Sequence, residues 1–297
     1  MNLELYKAFF YTAKYGTVSS ASEHLYITQP AVSRAIRQLE EALKCSLFFR
    51  SSKGVKLTPE GEILYQYIQQ AFNFISAGES KINDVKNLLS GEVRIGASDT
   101  ICKYYLIPYL KLFRTLHPAI KIQVICSTTP GIVQLLKTGR IDFGIINLPY
   151  SDDQLYFQDI IKVQDCFVAG RKYQYMSRQM QPLREIVRHP LILLEKSSNS
   201  RTFIDRYFQS NAADVTPGLE LGNMDLLMQF AKYDFGIACV IRNFIEEELE
   251  REMLYEIKPI EKIPTRNIGV TWLKNVPLSS AANALISSLD SMEPPEI

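Results

Sequence analysis

No stretch of the chain approaches the roughly 18 unbroken apolar residues that a membrane-spanning helix needs. Met1-Asn2-Leu3-Glu4-Leu5 lacks the basic start of a secretory signal. A cytoplasmic protein with no membrane partner is therefore expected. Cysteine is scarce: Cys45, Cys102, Cys126, Cys166 and Cys239 are odd in number, far apart and never in CxxC spacing. That excludes a disulfide framework and reads as reduced thiols. His24, His117 and His189 are equally scattered, so neither a structural zinc site nor any other cofactor is expected. An excess of one charge is missing too. Thirty-three Lys and Arg face thirty-two Asp and Glu, which argues against a disordered or histone-like chain. No internal repeat or low-complexity segment is visible. What remains is a 297-residue chain, 46% hydrophobic, long enough for two or three folding units at roughly 100–200 residues each.

The balanced charge is unevenly spread. Residues 1–60 carry eight basic side chains against five acidic ones, while the remainder carries twenty-five against twenty-seven. A basic end on a slightly acidic body suggests a head that binds a polyanion.

That head reads as short helices and a hairpin. Leu5, Phe9 and Ala13 recur at four-residue spacing, and Gly16 stops the helix. Ser20-Ala21-Ser22-Glu23 has capping-box spacing for a second helix. Thr28 is placed to cap a third, with Pro30 in its first turn, where a missing N–H costs little. In that third helix Val32, Ile36, Leu39 and Leu43 form one apolar stripe. Gln29, Pro30, Ser33, Arg34 and Arg37 fall on another face, about 120° round at roughly 100° per residue. Leu47 to Leu57, turning at Lys53-Gly54, predicts a small basic hairpin. Two helices joined by a tight turn, the second presenting Gln, Ser and Arg, suit the DNA major groove. Gln pairs with adenine, Arg with guanine, and Ser reaches phosphate or base. A merely solvated face is the competing reading.

The run Ala21-Ser22-Glu23-His24-Leu25-Tyr26-Ile27-Thr28-Gln29-Pro30-Ala31-Val32-Ser33-Arg34-Ala35-Ile36-Arg37-Gln38-Leu39-Glu40 resembles the winged helix-turn-helix signature of LysR-type transcriptional regulators. Leu47-Phe48-Phe49-Arg50 and Leu57-Thr58-Pro59-Glu60-Gly61 extend the likeness to about sixty residues. The resemblance implies sequence-specific binding of double-stranded DNA by Gln29, Pro30, Ser33, Arg34 and Arg37, with Arg50 and Lys53 on the phosphates. It also implies RNA polymerase as a partner if the protein activates.

From Leu64 the apolar positions Ile68, Ala71, Ile75, Gly78, Ile82, Val85 and Leu89 follow at alternating gaps of four and three. This seam predicts a helix of about thirty residues that either pairs with a second chain or docks on a neighbouring domain. Gly78 interrupts it. The resemblance favours pairing into a dimer or tetramer through Leu64, Ile68, Ile75, Ile82 and Val85, with Ser90-Gly91 as a hinge.

The remaining two hundred residues alternate strands and helices. Strands are expected at Glu92–Ala97, Ile120–Cys126, Ile141–Ile146, Cys166–Ala169, Leu191–Leu194 and Gly236–Val240, most of them apolar throughout as buried parallel strands are. Glu246 to Glu252 reads as a solvated helix face. Ligands of such sheets sit beyond strand C-terminal ends. The resemblance implies two periplasmic-binding-protein-like α/β subdomains around an effector cleft, the chain crossing near Lys162 and returning near Arg266. The expected organisation is a head over 1–58, a linker helix over 59–89, one subdomain over 92–163 and 267–297, and the other over 164–266.

Ser98, Asp99 and Thr100 follow the first strand, Thr128, Thr129 and Gly131 the second, and Asn147 the third. Ser198, Asn199 and Arg201 follow Leu191–Leu194, and Asn223 precedes a further helix. These are the candidate effector contacts, and each could instead cap a helix. Gly96-Ala97-Ser98-Asp99-Thr100 also approaches the G-x-S-x-G elbow of hydrolases, but Thr100 replaces the second glycine. A non-enzymatic regulator is the main reading; a small-molecule-binding or hydrolytic α/β protein without DNA function is the alternative. Asp99 stands where many LysR-type proteins have a hydroxyl residue. Either it turns outward as a cap while Arg201 meets an anionic effector, the reading slightly favoured, or the effector is neutral or cationic. Cys102 lies one turn into the same helix, as a packed or a redox-active thiol.

Overall fold

The computed structural model describes residues 2–51, 54–86 and 91–291. It divides into two compact units, 1–79 and 80–297, each described here by itself.

In the first unit, helix α1 (Leu3–Tyr15) opens on Asn2, whose side chain accepts from the Glu4 N–H, and closes at Gly16 with φ of 75°. Helix α2 (Val18–Leu25) starts earlier than the Ser20 capping box predicts. Thr17 caps it, accepting from the Ser20 N–H at 3.1 Å. Helix α3 (Gln29–Leu43) begins at Thr28 with Pro30 in its first turn, but the Thr28 hydroxyl makes no capping bond. Val32, Ile36 and Leu39 are buried as expected, whereas Leu43, the fourth of the stripe, is exposed. Strands β1 (Phe48–Ser51) and β2 (Gly54–Leu57) form the antiparallel hairpin. Phe9 packs on Phe48 at 5.2 Å between ring centroids, closing a core shared by all three helices and the hairpin.

Helix α4 (Pro59–Lys86) is pinned where it begins. The buried Thr58 hydroxyl donates to the Ser46 carbonyl at 2.7 Å and accepts from the Gly61 N–H at 3.0 Å. A Cβ on Gly61 would lie 2.2 Å from the Leu47 carbonyl oxygen, so only glycine lets the helix approach the hairpin this closely. That gives the Leu57-Thr58-Pro59-Glu60-Gly61 motif a packing reason. The expected pairing seam is split. Ile68 is buried in the head core and Leu64, Tyr65 and Phe72 pack against it, so Leu64 and Ile68 serve this chain's own core rather than a partner. Ile75 and Ile82 are 45% and 60% exposed. Val85 lies in the helix with its side chain outside the described residues, as does all of Leu89.

The second unit is α/β. Strand β3 (Gly91–Ala97) lies between β4 (Ile120–Cys126) and β5 (Phe143–Asn147), parallel to both. A helical run, α5 (Asp99–Ile101) continuing through a widened π turn into α6 (Ile107–Leu116), follows β3. The π turn precedes Pro108, which cannot donate to the Tyr104 carbonyl. Helix α7 (Thr129–Lys137) connects β4 to β5. Strand β6 (Leu155–Ala169) is long, and its partner changes midway. Residues 155–164 pair with the returning strand, and Asp165 to Val168 pair with the strand Ile237–Ile241. The second half holds α8 (Leu183–Ile186), β7 (Leu191–Leu194), α9 (Asn199–Ser210), β8 (Leu219–Leu221), α10 (Met224–Lys232), β9 (Ile237–Ile241), α11 (Glu246–Glu250) and β10 (Tyr255–Ile257). Strand β11 (Thr265–Leu273) then rejoins the first half, Ile268 opposite Asn147, and α12 (Ser280–Ser291) packs over β3. The order β4-β3-β5-β11-β6 continues as β6-β9-β7-β8, with β10 also on β6. The two sheet halves thus share β6, and their parallel strands end at one crevice.

Candidate functional site

Gln29, Pro30, Arg34 and Arg37 are exposed on α3, and Ser33 is half-buried beside them. None has a structural partner among the described residues. Arg50 lies in β1, and Lys53 falls outside the described residues. Two neighbours join this face, Tyr26, which the sequence did not single out, and Thr28, which was expected only as a cap. Tyr26, left-handed at φ of 55°, ends α2 with 94% of its side chain exposed. Thr28 keeps its hydroxyl uncommitted at the positive start of α3, where a phosphate oxygen would sit. Both follow from the tight turn that sets α3, which periodicity alone does not describe.

The crevice in the second unit encloses about 210 Å³. Ser98, Asp99, Thr100, Thr128, Thr129, Asn147, Ser198, Asn199, Arg201 and Asn223 all border it. Gly131 does not; its Cα faces Ser127 within the α7 turn. Bordering is not the same as being free to bind. The Ser98 oxygen caps α5 by accepting from the Ile101 N–H at 3.3 Å, and Asn223 caps α10 through the Leu226 N–H at 3.0 Å. Asn199 donates across the crevice to the Asn147 carbonyl at 2.6 Å.

Arg201 borders the crevice but is already ion-paired within the chain, so it is not the free counter-charge that the favoured reading supposes. Arg201 is 4% exposed. Its guanidinium donates to Asp205 at 2.8 Å and to the Leu194 carbonyl at 2.7 Å, with Glu220 at 3.3 Å. These contacts take Nε and Nη1 and leave Nη2 without a partner among the described residues. Nor does Asp99 act as the cap, a role Ser98 fills; Asp99 is exposed at the crevice and interacts with the Cys126 thiol.

Sequence reasoning missed the floor of the crevice. Arg266 on β11 makes a paired contact with Asp165 on β6, Nε to Oδ2 at 2.6 Å and Nη2 to Oδ1 at 2.9 Å. A third bond runs from Nη1 to Asn147 Oδ1 at 2.5 Å, and the Phe203 ring lies over the guanidinium. Both charges are buried and border the cavity where the sheet halves exchange partners. Opposite charges at the two crossing points were the available signal. Farther along, Lys103 and Tyr104 reach Asp225 at 2.7 and 2.6 Å, tying α10 to the π turn. Burial works against the Asp225 carboxylate, but these two contacts outweigh it and hold the group below its ordinary range.

Cys102 and Cys126 bring their sulfurs to 3.8 Å. Burial, then the neighbouring Cys126 and Asp99, pushes the Cys102 thiol up to about 12. Burial, then Asp99, also raises Cys126. Both thiols stay protonated at neutral pH and are poor nucleophiles, which favours the packed reading over the redox one. The hydrolase alternative lacks a histidine base at Ser98: neither His117, against Phe113, nor His189, against Tyr173, borders the cavity.

Two family models match this chain. Residues 3–62 match the bacterial regulatory helix-turn-helix of the lysR family, and residues 86–293 match the LysR substrate binding domain. The HTH-type transcriptional regulator CysL of Bacillus subtilis (strain 168) is 23% identical over 291 residues, covering 93% of this chain and 97% of that protein. Full-length OxyR from Pseudomonas aeruginosa, in a variant form, shares the fold with a TM-score of 0.72 at 18% identity, covering 99% and 96% of the two chains. Full-length CbnR in complex with its target DNA gives a TM-score of 0.68 at 15% identity, covering 97% and 99%. The chain belongs to the LysR family of transcriptional regulators, joining a helix-turn-helix DNA-binding head to an effector-binding α/β domain. No helix among the described residues is long and apolar enough to cross a membrane.

Proposed function

We propose that this regulator reads its operator through Gln29, Ser33, Arg34 and Arg37, with Pro30 setting the start of the reading helix. Arg50 and Lys53 anchor the hairpin to phosphates, and Thr28 and Tyr26 add contacts at the turn. The carrying observation is an exposed, basic α3 face without structural work, at the end of a helix whose opposite face is buried. The head extends to residue 58 and the linker helix over 59–89. The body divides into 92–163 with 267–297, and 164–266. A small effector between these halves shifts their closure and, through α4, the spacing of paired heads. Pairing uses Ile75, Ile82 and Val85, since Leu64 and Ile68 are committed to the head. The protein works in the cytoplasm as a homodimer or homotetramer, performs no catalysis, and contacts RNA polymerase where it activates.

A gel shift with the purified protein and DNA upstream of its own gene tests this reading. Retardation that survives excess nonspecific DNA is expected. Equal competition by unrelated DNA would remove sequence-specific reading.

A further inference from the structure

The cationic groups bordering the crevice are already ion-paired. Arg201 answers Asp205 and Glu220, and Arg266 answers Asp165. Asp99 and Glu195 also border the cavity, one from each sheet half, and neither is ion-paired among the described residues. With the acids behind Arg201 counted, five carboxylates surround two guanidiniums, so a negative field fills the crevice. A simple carboxylate or sulfate entering it would meet repulsion, and each guanidinium there already has a carboxylate partner.

The same walls nevertheless hold unanswered donors. Thr128 and Ser198 occupy the cap positions of α7 and α9, and neither hydroxyl caps its helix. The first N–H groups of both helices are therefore unsupported by a side chain, at the positive ends of nine- and twelve-residue helices. Thr129 is only 4% exposed, borders the cavity, and its hydroxyl has no partner among the described residues. Asn147, 8% exposed, accepts from Arg266 through Oδ1, and its side-chain N–H groups have no acceptor among the described residues. A simple cation would leave these donors desolvated and unmet, a standing cost.

We infer that the effector is a small zwitterion, an ammonium carboxylate of amino-acid type, its ammonium drawn to Asp99 and Glu195. Its carboxylate takes the starts of α7 and α9 with Thr129 and Asn147. The inference rests on the reading of this crevice as the effector site. A cavity of about 210 Å³ suits a molecule of that size. Both poles are needed because each answers groups that the other cannot.

Calorimetric titration of the full chain tests it, using the twenty protein amino acids, each beside its decarboxylated amine and its deaminated carboxylate. At least one amino acid is expected to bind at least tenfold more tightly than both of its partial analogues. Asp99→Asn and Glu195→Gln should each weaken that amino acid at least tenfold while improving the carboxylate analogue. A carboxylate analogue that binds the unaltered protein as tightly as its amino acid overturns the inference, and so does binding of none of the twenty. In either case a DNA complex that still responds to another small molecule keeps the crevice reading alive. Ser198→Trp, with an unchanged melting temperature, fills the cavity. An amino acid that still binds it undiminished would place the site elsewhere and overturn the inference together with the crevice reading.

Discussion

Arg34 shows what one side chain on a buried-backed helix can do. Val32 and Ile36 bury the opposite side of α3, so the guanidinium is carried on a surface fixed to the head core. Arg34→Ala should cost roughly 1–3 kcal/mol of operator affinity and flatten preference at one base pair. Footprinting at matched salt checks this, and an unchanged footprint would reduce Arg34 to a solvated charge. That Gln29, Arg34 and Arg37 share an exposed face of α3 was legible because helical periodicity separates them from the apolar stripe. The ion pairing of Arg201 was harder to read. Its partners Asp205 and Glu220 stand four and nineteen residues away, and only the packing of β8 beside β7 brings Glu220 within reach. The i,i+4 partner Asp205 lies on the same helix and was open to reading, whereas Glu220 is brought in only by the fold.

At the scale of elements, α4 carries the sharpest lesson. An unbroken alternation of four and three marks a seam without saying what covers each part of it. Here Leu64 and Ile68 close the head core and Ile75 remains open to solvent. Ile75→Asp should therefore leave the head folded, since Ile75 has no place in its core, while a charge in a desolvated pairing contact costs several kcal/mol. Sedimentation should show a smaller species with weaker operator binding and an unchanged circular dichroism spectrum. An unaltered mass would assign assembly to other surfaces. The cavity positions were legible for a different reason: residues after the C-terminal ends of parallel strands converge at one crevice whatever the loops contain. Asp165 and Arg266 escaped that rule because they lie in the strands, where β6 changes partners.

For the molecule as a whole, the division into units of 1–79 and 80–297 gives a thermal expectation. Each has its own buried apolar cluster, so calorimetry should resolve two transitions rather than one. The Arg266–Asp165 pair belongs to the larger unit and is buried on both sides. Arg266→Ala leaves a desolvated carboxylate without its cation, a loss of about 3–5 kcal/mol, more than the pair itself contributes. For a domain of this size that corresponds to roughly 6–20 °C in midpoint. Only the body transition should move, with the head's midpoint held. Replacing both partners, Arg266→Met with Asp165→Leu, removes the stranded charge and should recover most of the loss. A double variant as unstable as Arg266→Ala would mean that the bond to Asn147, rather than the charge pair, holds the two sheet halves in register. A single transition that moves as a whole would instead show that head and body unfold as one cooperative unit.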